Sequence, residues 1–479
     1  MLPVLAFPEP GIDDTASYQG YQTRFYRDSR GNTVQIYLQP QTSRAVLVWA
    51  DAANESAGFS VRDAAGRPVR LRWASEAANI AEEGGLRSIE YQLTADVSQI
   101  DIGWFVLGSM RIERDFVYGN RHLKPYALPP FQVAEESLLV AEVSRLTRPV
   151  QQEHLRLLGA GNVADLAARL VPAIDSTRAD TAAAIRIQRP SLDGRNRLVL
   201  QLRVDPRRVK ARVRGQTVRL ETRPGSSLRF TVRVTTDAAP LTPLSRKQIF
   251  NQPFLDFLER SRAAGDTGDR VFSRRLERQV RGVELLSSEE KLMAGLPNFA
   301  TYFGRDMMMT ALMMRPIWTP EMSEHVIASV LRKLGPNGEV SHEEALGGQA
   351  IREHAVIYDS LLRADELDTA KEILRELQRT LENYHMIDDE FQLPVLAAQY
   401  LADSTVPAER KRAFLRSEIN GSASLQLLLR ELALVASLAE PYVRRQEVTN
   451  LVRFPRLDST RWRSASWRDS DAGYAQGRF

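Results

Sequence analysis

Cysteine is absent from the 479 residues of the chain. The protein therefore has no disulfide framework, no thiolate nucleophile and no cysteine-ligated zinc or iron–sulfur site. The chain also lacks any run approaching the roughly 20 apolar residues that a membrane-spanning helix requires. Its first residues, MLPVLAFPEPG, carry no positive charge of the kind that opens a signal peptide. As written, the sequence predicts a cytoplasmic protein that contacts no membrane; a signal peptide upstream of Met1 would instead place it in the periplasm or outside the cell.

Charge of one sign is not in excess either. The 64 Lys and Arg residues, of which 57 are Arg, face 60 Asp and Glu residues, so the net charge is only +4. We therefore predict no nucleic-acid partner. The arginines from Arg207 to Arg233 alternate with apolar residues, which is typical of the solvated face of a sheet. A polyanion-binding stripe is the alternative interpretation.

Several catalytic motifs are missing. The chain has no G-x-S-x-G, G-x-x-x-x-G-K-[ST] or G-x-G-x-x-G sequence, which argues against serine hydrolases and nucleotide enzymes. His342 and Glu343 begin like a zinc-peptidase motif, but Leu346 stands where the second His would be. We predict no metal and no cofactor, and we interpret these residues, with Glu344 and Glu339, as polar groups lining a pocket.

The composition is 43% hydrophobic and 26% charged, as in a globular protein with room for two or three domains. Apolar residues alternate in NTVQIYLQP, RLVLQLRV and SSLRFTVRV, which predicts half-buried strands. Two packed sheets bury such faces. We predict a β-sandwich-like domain over 1–245, interrupted by helices between 134 and 171.

From 246 to 479 the pattern becomes helical, after a proline-marked linker at 235–245. Apolar residues repeat at helical spacing in VFSRRLERQVRGVELL, in EHVIASVLRKL, in SASLQLLLRELALVASLAE and in AKEILRELQRTLENYH, where they predict a helix reaching Tyr384. Polar clusters separate these helices and are predicted to be loops: NFATYFGRD, GEVSHEEALGG, IDDEFQLP and SWRDSDAG. Loops on a helical scaffold are where chemistry is usually found.

The cluster from Tyr302 to Asp306 opens a helix that contains five of the ten methionines. We predict that this helix is buried nearly all round and that its methionines fill the core, since no His or Cys nearby completes a soft-metal site. Arg305 and Asp306 stand at its entrance. They form either a structural ion pair or a clamp for neighbouring hydroxyl groups, with the carboxylate accepting and the guanidinium donating.

The last cluster, Ser466 to Asp471, places Asp469 two residues after Trp467. Packing against an indole ring raises the pKa of a carboxyl group, which suits a general acid. The structural alternative is packing plus a turn-forming carboxylate.

Taken in order, GLPNFATYFGRDMMMTAL, GEVSHEE, DDEFQLP and SWRDSDAGYAQGRF resemble the six-hairpin (α/α)₆ glycoside hydrolases. The similarity is greatest to the glucosidase domain of glycogen-debranching enzymes, which is related to glucoamylases, and it covers about 281–479. It implies an N-terminal β-sandwich followed by a toroid of helical hairpins. It also implies an oligosaccharide or polysaccharide substrate joined by α-glucosidic or related α-glycosidic bonds.

The resemblance carries over to particular residues. The Gly-Arg-Asp motif falls on Gly304, Arg305 and Asp306, which implies binding of sugar hydroxyls, with Phe303 beside them. The Trp-x-Asp-Ser motif falls on Trp467 and Asp469, which makes Asp469 the candidate general acid and Asp471 the runner-up. The further sugar-binding candidates that it implies are His342, Glu343, Asp388 and Asp389.

Inverting hydrolysis needs a second carboxylate, roughly 6.5 to 9.5 Å from the first, to activate water. In the family this base follows the Trp-x-Asp motif on a late hairpin, whereas here ten residues follow Asp469. A ring of six hairpins also needs more chain than 253–479 supplies. We therefore expect a C-terminally truncated, incomplete toroid that is inactive as this fragment and prone to association, with no oligomeric state specified.

Two alternatives remain open. One is a non-catalytic carbohydrate-binding or degenerate toroid protein. The other is a lyase, which would need Tyr and His together in the cleft; Tyr384 and His385 are the adjacent pair, although Tyr384 also extends the apolar stripe of its predicted helix.

Overall fold

A computed structural model describes residues 17–18, 21–39, 43–75, 77–108, 129, 131–178, 183–267, 270–295 and 301–444. The chain divides into two compact units. Within the described residues, the sheet unit joins 17–242 to Leu346–Leu381, and the helical unit joins Pro243–Ala345 to 382–444. The domain limits predicted from the sequence, 1–245 and 246–479, stay a prediction.

Two antiparallel sheets dominate the described part of the sheet unit. One sheet has eight strands in the order β1-β2-β3-β4-β5-β9-β14-β13, and the other has the order β10-β11-β12-β15-β8-β6, with β7 also paired to β8. The strands are β1 Ser17–Tyr18, β2 Tyr21–Arg27, β3 Thr33–Gln39, β4 Arg44–Trp49, β5 Glu55–Arg62, β6 Leu71–Trp73, β7 Asn79–Glu83, β8 Leu86–Ala95, β9 Gln99–Gly108, β10 Ala173–Arg178, β11 Ala183–Pro190, β12 Arg197–Val204, β13 Val209–Arg214, β14 Thr217–Thr222 and β15 Leu228–Thr236.

The two sheets share one hydrophobic core. The alternating residues of β12 and β15 point into it, as their sequence pattern predicts, and Phe59 of one sheet meets Phe230 of the other edge to face at 6.2 Å. Strand β3 differs from the prediction of a half-buried strand. Gln35 and Tyr37, on its other face, are only 2% exposed, so β3 is buried on both faces.

Helices also pack in the sheet unit, and three of them lie between 134 and 171. They are α1 Ala134–Arg145, α2 Arg148–Leu157 and α3 Val163–Ala168. Later in the chain come α9 Gly347–Arg363 and α10 Leu367–Arg375, which share a core with α1 to α3. In that core the Nδ1 atom of His154 lies 2.7 Å from the hydroxyl of Tyr358.

The described part of the helical unit is built mainly of helices. They are α4 Arg246–Ile249, α5 Gln252–Thr267, α6 Arg270–Leu286, α7 Gly304–Met314, α8 Pro320–Leu331, α11 Asp388–Ala402, α12 Ala408–Arg416 and α13 Ser424–Arg444. The short strands are β16 Tyr302–Phe303, β17 Glu343–Ala345, β18 Leu381–Asn383, β19 Glu418–Ile419 and β20 Ser422–Ala423. Helices α7, α8, α11 and α13 contribute to one apolar core. The chain is thus strand-rich first and helical later, as predicted.

Two element predictions are wrong. The helix predicted to reach Tyr384 ends at Arg375, because β18 pairs in a three-stranded sheet with the order β16-β17-β18. This tertiary pairing overrides the helical spacing. The segment DDEFQLP, predicted as a loop, is the start of α11, whose first turn carries three acids and whose interior contains Pro394. Carboxylates stabilise the N-terminus of a helix, and this favours a helical start here.

The methionine-rich helix α7 is less buried than predicted. Met307, Met308 and Met314 lie in the core, but Met309 is 42% and Met313 is 48% exposed. A single helix face packs inward, so the exposed methionines lie on the opposite face. No helix in the described residues is long and apolar enough to span a bilayer.

Candidate functional site

A small sheet joins three of the polar segments singled out in the sequence. Strand β16 pairs antiparallel with β17, which places Phe303 opposite Glu343, and β17 is next to β18 in the same sheet. The backbone N–H of His342 donates to the carbonyl of Asn383 at 2.8 Å. The segments around 303, 342 and 383 are therefore held side by side by backbone hydrogen bonds.

Gly304 is required at the junction of β16 and α7. Its N–H donates to the carbonyl of His342 at 2.8 Å. A Cβ atom at this position would lie 2.2 Å from the carbonyl oxygen of Ser341 and 3.4 Å from Oδ1 of Asp389. The backbones approach too closely for any side chain, so glycine is the residue that lets α7 begin against the neighbouring segment.

Asp389 and His342 form a buried pair. Oδ2 of Asp389 lies 2.8 Å from Nδ1 of His342; the carboxylate is 0% and the imidazole residue 4% exposed. Burial raises the pKa of Asp389 to about 6, and the hydrogen bond from His342 opposes the rise. Phe303 packs edge to face on the imidazole, with ring centroids 5.3 Å apart.

Arg305 and Asp388 face each other beside that pair. Nη1 of Arg305 lies 3.4 Å from Oδ2 of Asp388, and their side chains are 16% and 22% exposed. A tight charge-assisted bond is about 2.7 to 2.9 Å long, so this contact is loose. A guanidinium that donates and a carboxylate that accepts can together hold a hydroxyl group, which does both.

Two side-chain amides and one further carboxylate lie around these pairs. Nδ2 of Asn383 lies 3.4 Å from Oε2 of Glu343, and Nε2 of Gln392 lies 3.5 Å from Oδ2 of Asp388. We call Arg305, His342, Glu343, Asn383, Asp388, Asp389 and Gln392 the Arg305 cluster.

Four oxygens of the Arg305 cluster are buried acceptors without a hydrogen-bond partner in the described part of the chain. They are Oδ1 of Asn383, Oδ1 of Asp388, Oδ1 of Asp389 and Oε1 of Gln392. Buried polar atoms normally have a partner, and each one left without a partner costs roughly 1 to 3 kcal/mol. The cluster therefore has a surplus of acceptors, which added donors would stabilise.

A second buried pair supports the far side of β17. The ammonium group of Lys291 donates to Glu344, and both side chains are almost fully buried. Burial lowers the pKa of Lys291 and raises that of Glu344, while each partner opposes the other's shift. Thr301 also donates to the carbonyl of Glu344 at 2.5 Å. These contacts fix the backbone on which Glu343 stands.

The structure also shows the contacts of Glu339, which was predicted to line a pocket, and of Tyr384, which was named for the lyase alternative. Glu339 accepts from the N–H of Asn337 at 2.9 Å and is 1% exposed, so it closes a tight turn. Tyr384 donates its hydroxyl to the carbonyl of Lys333 at 3.1 Å. Each of these two side chains is therefore hydrogen-bonded to a neighbouring segment of backbone.

Among the predicted sugar-binding residues, the structure brings Arg305, Asp388, Asp389, His342 and Glu343 into one cluster, with Phe303 against it. Asp306 is exposed in the first turn of α7. Trp467, Asp469 and Asp471 lie outside the described residues, so their predicted roles stay predictions.

Sequence reasoning missed Asn383 and Gln392. Gln392 follows Asp388 by four residues on α11, and this spacing places two side chains on one helix face; had 388–394 been predicted as a helix, this signal would have found it. Asn383 comes into place only because β18 joins the sheet. The described residues contain no group of three or more His, Asp or Glu side chains placed to hold a metal ion.

The chain matches no protein-family model, and no curated protein matches it. Among solved structures, one match is described as "Putative kojibiose phosphorylase from human microbiome". The alignment has 8% identity and a TM-score of 0.22, and it covers 86% of this chain and 59% of the other. The chain thus spans about three fifths of that protein's length, and a similarity this low carries no conclusion about fold or function.

Proposed function

We propose that the chain is a carbohydrate-active protein of the glycoside hydrolase type, in which the Arg305 cluster binds hydroxyl groups of an α-linked glucose oligomer or a related α-glycoside. The loose, partly exposed contact between the guanidinium of Arg305 and the carboxylate of Asp388, a donor facing an acceptor, carries this proposal. A sugar is a dense array of hydroxyl groups, and each can donate to an acceptor oxygen while accepting from Arg305. Hydrogen bonds to charged groups contribute about 1.5 to 3 kcal/mol each.

The proposed architecture is an N-terminal β-sandwich followed by an incomplete (α/α)₆ toroid, with domains at 1–245 and 246–479. The shared core of the two antiparallel sheets supports the first part. The resemblance of the polar clusters to the glucosidase domain of glycogen-debranching enzymes supports the second, and the Arg305 cluster joins three of those clusters in one place.

The proposed chemistry is inverting hydrolysis with two carboxylates. Asp469 is the general acid that protonates the leaving oxygen, and Asp471 is the alternative. The base that activates water from the opposite side is not assigned. General acid catalysis contributes about 10²- to 10⁴-fold, so D469N should lose turnover by that factor while it still binds sugar.

Binding is tested by calorimetric titration of the full chain with maltotriose. D388N removes the acceptor charge opposite Arg305 and should weaken binding about 10- to 100-fold, as expected for loss of a charged hydrogen bond. The matched control is D368N, because Asp368 is a 99% exposed aspartate on α10, and it should bind like the wild type. Wild-type chain that binds no maltotriose would refute the proposal.

Turnover separates the enzyme from the non-catalytic alternative. Glucose release by a chain that binds maltotriose, lost in D469N, supports hydrolysis. Binding without release in the wild type fits both the carbohydrate-binding protein and an enzyme whose base is not assigned, whereas turnover that is unchanged in D469N removes Asp469 from the mechanism.

A further inference from the structure

The buried pair of Asp389 and His342 is next in sequence and in hydrogen bonding to the partly buried pair of Arg305 and Asp388. Asp388 and Asp389 are neighbours in the first turn of α11. Arg305 follows Gly304, whose N–H is bound to the carbonyl of His342. Asp388 is therefore next to Asp389 in sequence, and Arg305 is next to a glycine that is hydrogen-bonded to His342.

The contacts around Asp389 leave little freedom. Its Oδ2 is bonded to His342 at 2.8 Å, and its Oδ1 faces the place where a Cβ of Gly304 would be, at 3.4 Å. The imidazole is confined on its side by the ring of Phe303. Packed interiors transmit small displacements. We therefore expect that a change in the charge or position of the Asp389 carboxylate shifts the start of α7 relative to α11.

We propose that Asp389 is a positioning residue: through its bond to His342 it fixes the start of α7 against the first turn of α11, and its negative charge is required for the Arg305–Asp388 pair to bind sugar. The inference rests on the proposed function of that pair. It adds a dependence of sugar affinity on pH, which the binding of hydroxyl groups by Arg305 and Asp388 does not by itself imply.

The charges around Asp389 come from each element packed on it. On α11 the neighbouring Asp388 disfavours the ionised form; on α7 Arg305 favours it, as does His342. Glu343 follows His342 on β17, and Glu390 follows Asp389 and accepts from the N–H of Val340 at 2.8 Å. Burial outweighs these influences and keeps the pKa of Asp389 raised, at about 6.

The test is the maltotriose dissociation constant measured by calorimetry between pH 5 and pH 8. If sugar binds only to the chain with ionised Asp389, affinity falls tenfold for each pH unit below the pKa. The expected loss from pH 7 to pH 5 is therefore about tenfold in the wild type. D389N keeps an oxygen to accept from His342 but cannot ionise, so its affinity should be at least tenfold below that of the wild type at pH 7 and nearly constant over this range; a D389N chain that binds like the wild type at pH 7 would overturn the inference.

The matched control is D51N. Asp51 is also fully buried and its pKa is also raised to about 6 by burial, but it belongs to the sheet unit and bonds Arg87 at 2.8 Å. D51N should keep the wild-type pH dependence of binding. A D389N chain with the same tenfold loss as the wild type, or a wild-type affinity that does not change with pH, would overturn the inference.

A second readout does not depend on sugar. The chain has six histidines, whose rings can be labelled with ¹⁵N. The signals of His342 are assigned by their loss in H342Q. They report the protonation of Asp389, to which the ring is hydrogen-bonded. The His342 signals of the wild type should shift with a midpoint near pH 6, and D389N should change this midpoint because the neighbouring group no longer titrates. A flat titration refutes the role of Asp389, whereas absence of maltotriose binding with this midpoint present refutes the proposed function alone.

Discussion

Glu431 is a buried acid on α13 with no hydrogen-bond partner among the described residues. It is 0% exposed, and both of its carboxylate oxygens lack a partner in that part of the chain. The flanking Leu427 and Leu428 belong to the core of the helical unit. Gly338, whose φ is +106°, brings a tight turn so close that a Cβ there would lie 3.0 Å from the Cα of Glu431. Burial raises the pKa of Glu431 to about 8.

The size of the effect follows from that pKa. The shift from the ordinary 4.5 to about 8, at 1.36 kcal/mol per pKa unit, corresponds to about 5 kcal/mol. Between these two pH values the folded chain keeps a proton that the unfolded chain has released, so stability decreases as pH rises. The loss is complete above about pH 8. E431Q carries a neutral amide at every pH and should not show it.

The assay is urea denaturation followed by far-ultraviolet circular dichroism at pH 4.5 to 9, comparing wild type with E431Q. The free energy of unfolding of the wild type should fall by about 5 kcal/mol relative to E431Q across this range. E418Q, which alters an exposed glutamate of the same unit, should follow the wild type. Parallel pH curves for wild type and E431Q would refute the reasoning, because a carboxyl group with an unshifted pKa leaves no such difference.

Three further predictions concern the helical unit. G304A forces a Cβ atom against the carbonyl of Ser341 and should cost about 1 to 3 kcal/mol of unfolding free energy while weakening maltotriose binding; unchanged stability would contradict the close approach. K291M leaves Glu344 buried without its partner and should cost about 3 to 5 kcal/mol in urea denaturation, most of which K291M/E344L should restore. Leu429 is 55% exposed on α13, so L429E should reduce self-association measured by light scattering; a wild type that is already a clean monomer counts against the expected association.

Strand periodicity was the most reliable guide in the sequence. The alternation in β12 and β15 predicted their inward faces because such a face has a period of two whatever lies across it. The same logic could not show that β3 is covered on both faces, since Gln35 and Tyr37 are polar enough to be expected outside. What covers a strand depends on packing, which local pattern does not contain.

The helical half was harder to predict at its short elements. A pattern of Leu374, Leu377 and Leu381 fits a helix, yet the chain leaves the helix at Arg375 and pairs as β18. The reason lies in β17, about 40 residues earlier, and no local signal contains it. The polar segment IDDEFQLP was predicted as a loop, yet most of it forms the start of α11, which contains Pro394 in its interior; whether a helix tolerates an internal proline depends on the packing of the whole helix.

Individual residues of the candidate site could be named from the resemblance, but their contacts could not. His342 and Asp389 are 47 positions apart and Arg305 and Asp388 are 83 apart, so only the fold brings them together. The need for Gly304 became physical only with the carbonyl of Ser341 in place. The acceptor surplus at Asn383 and Gln392 has no counterpart in the sequence pattern.

The most direct test of the account is the affinity of the full chain for maltotriose, measured by calorimetry at pH 7 for the wild type, D388N and the exposed control D368N. The account predicts binding by the wild type and D368N and an affinity about 10- to 100-fold lower for D388N. Equal affinity of all three chains, or no binding by the wild type, would contradict the claim that the Arg305 cluster recognises sugar hydroxyls.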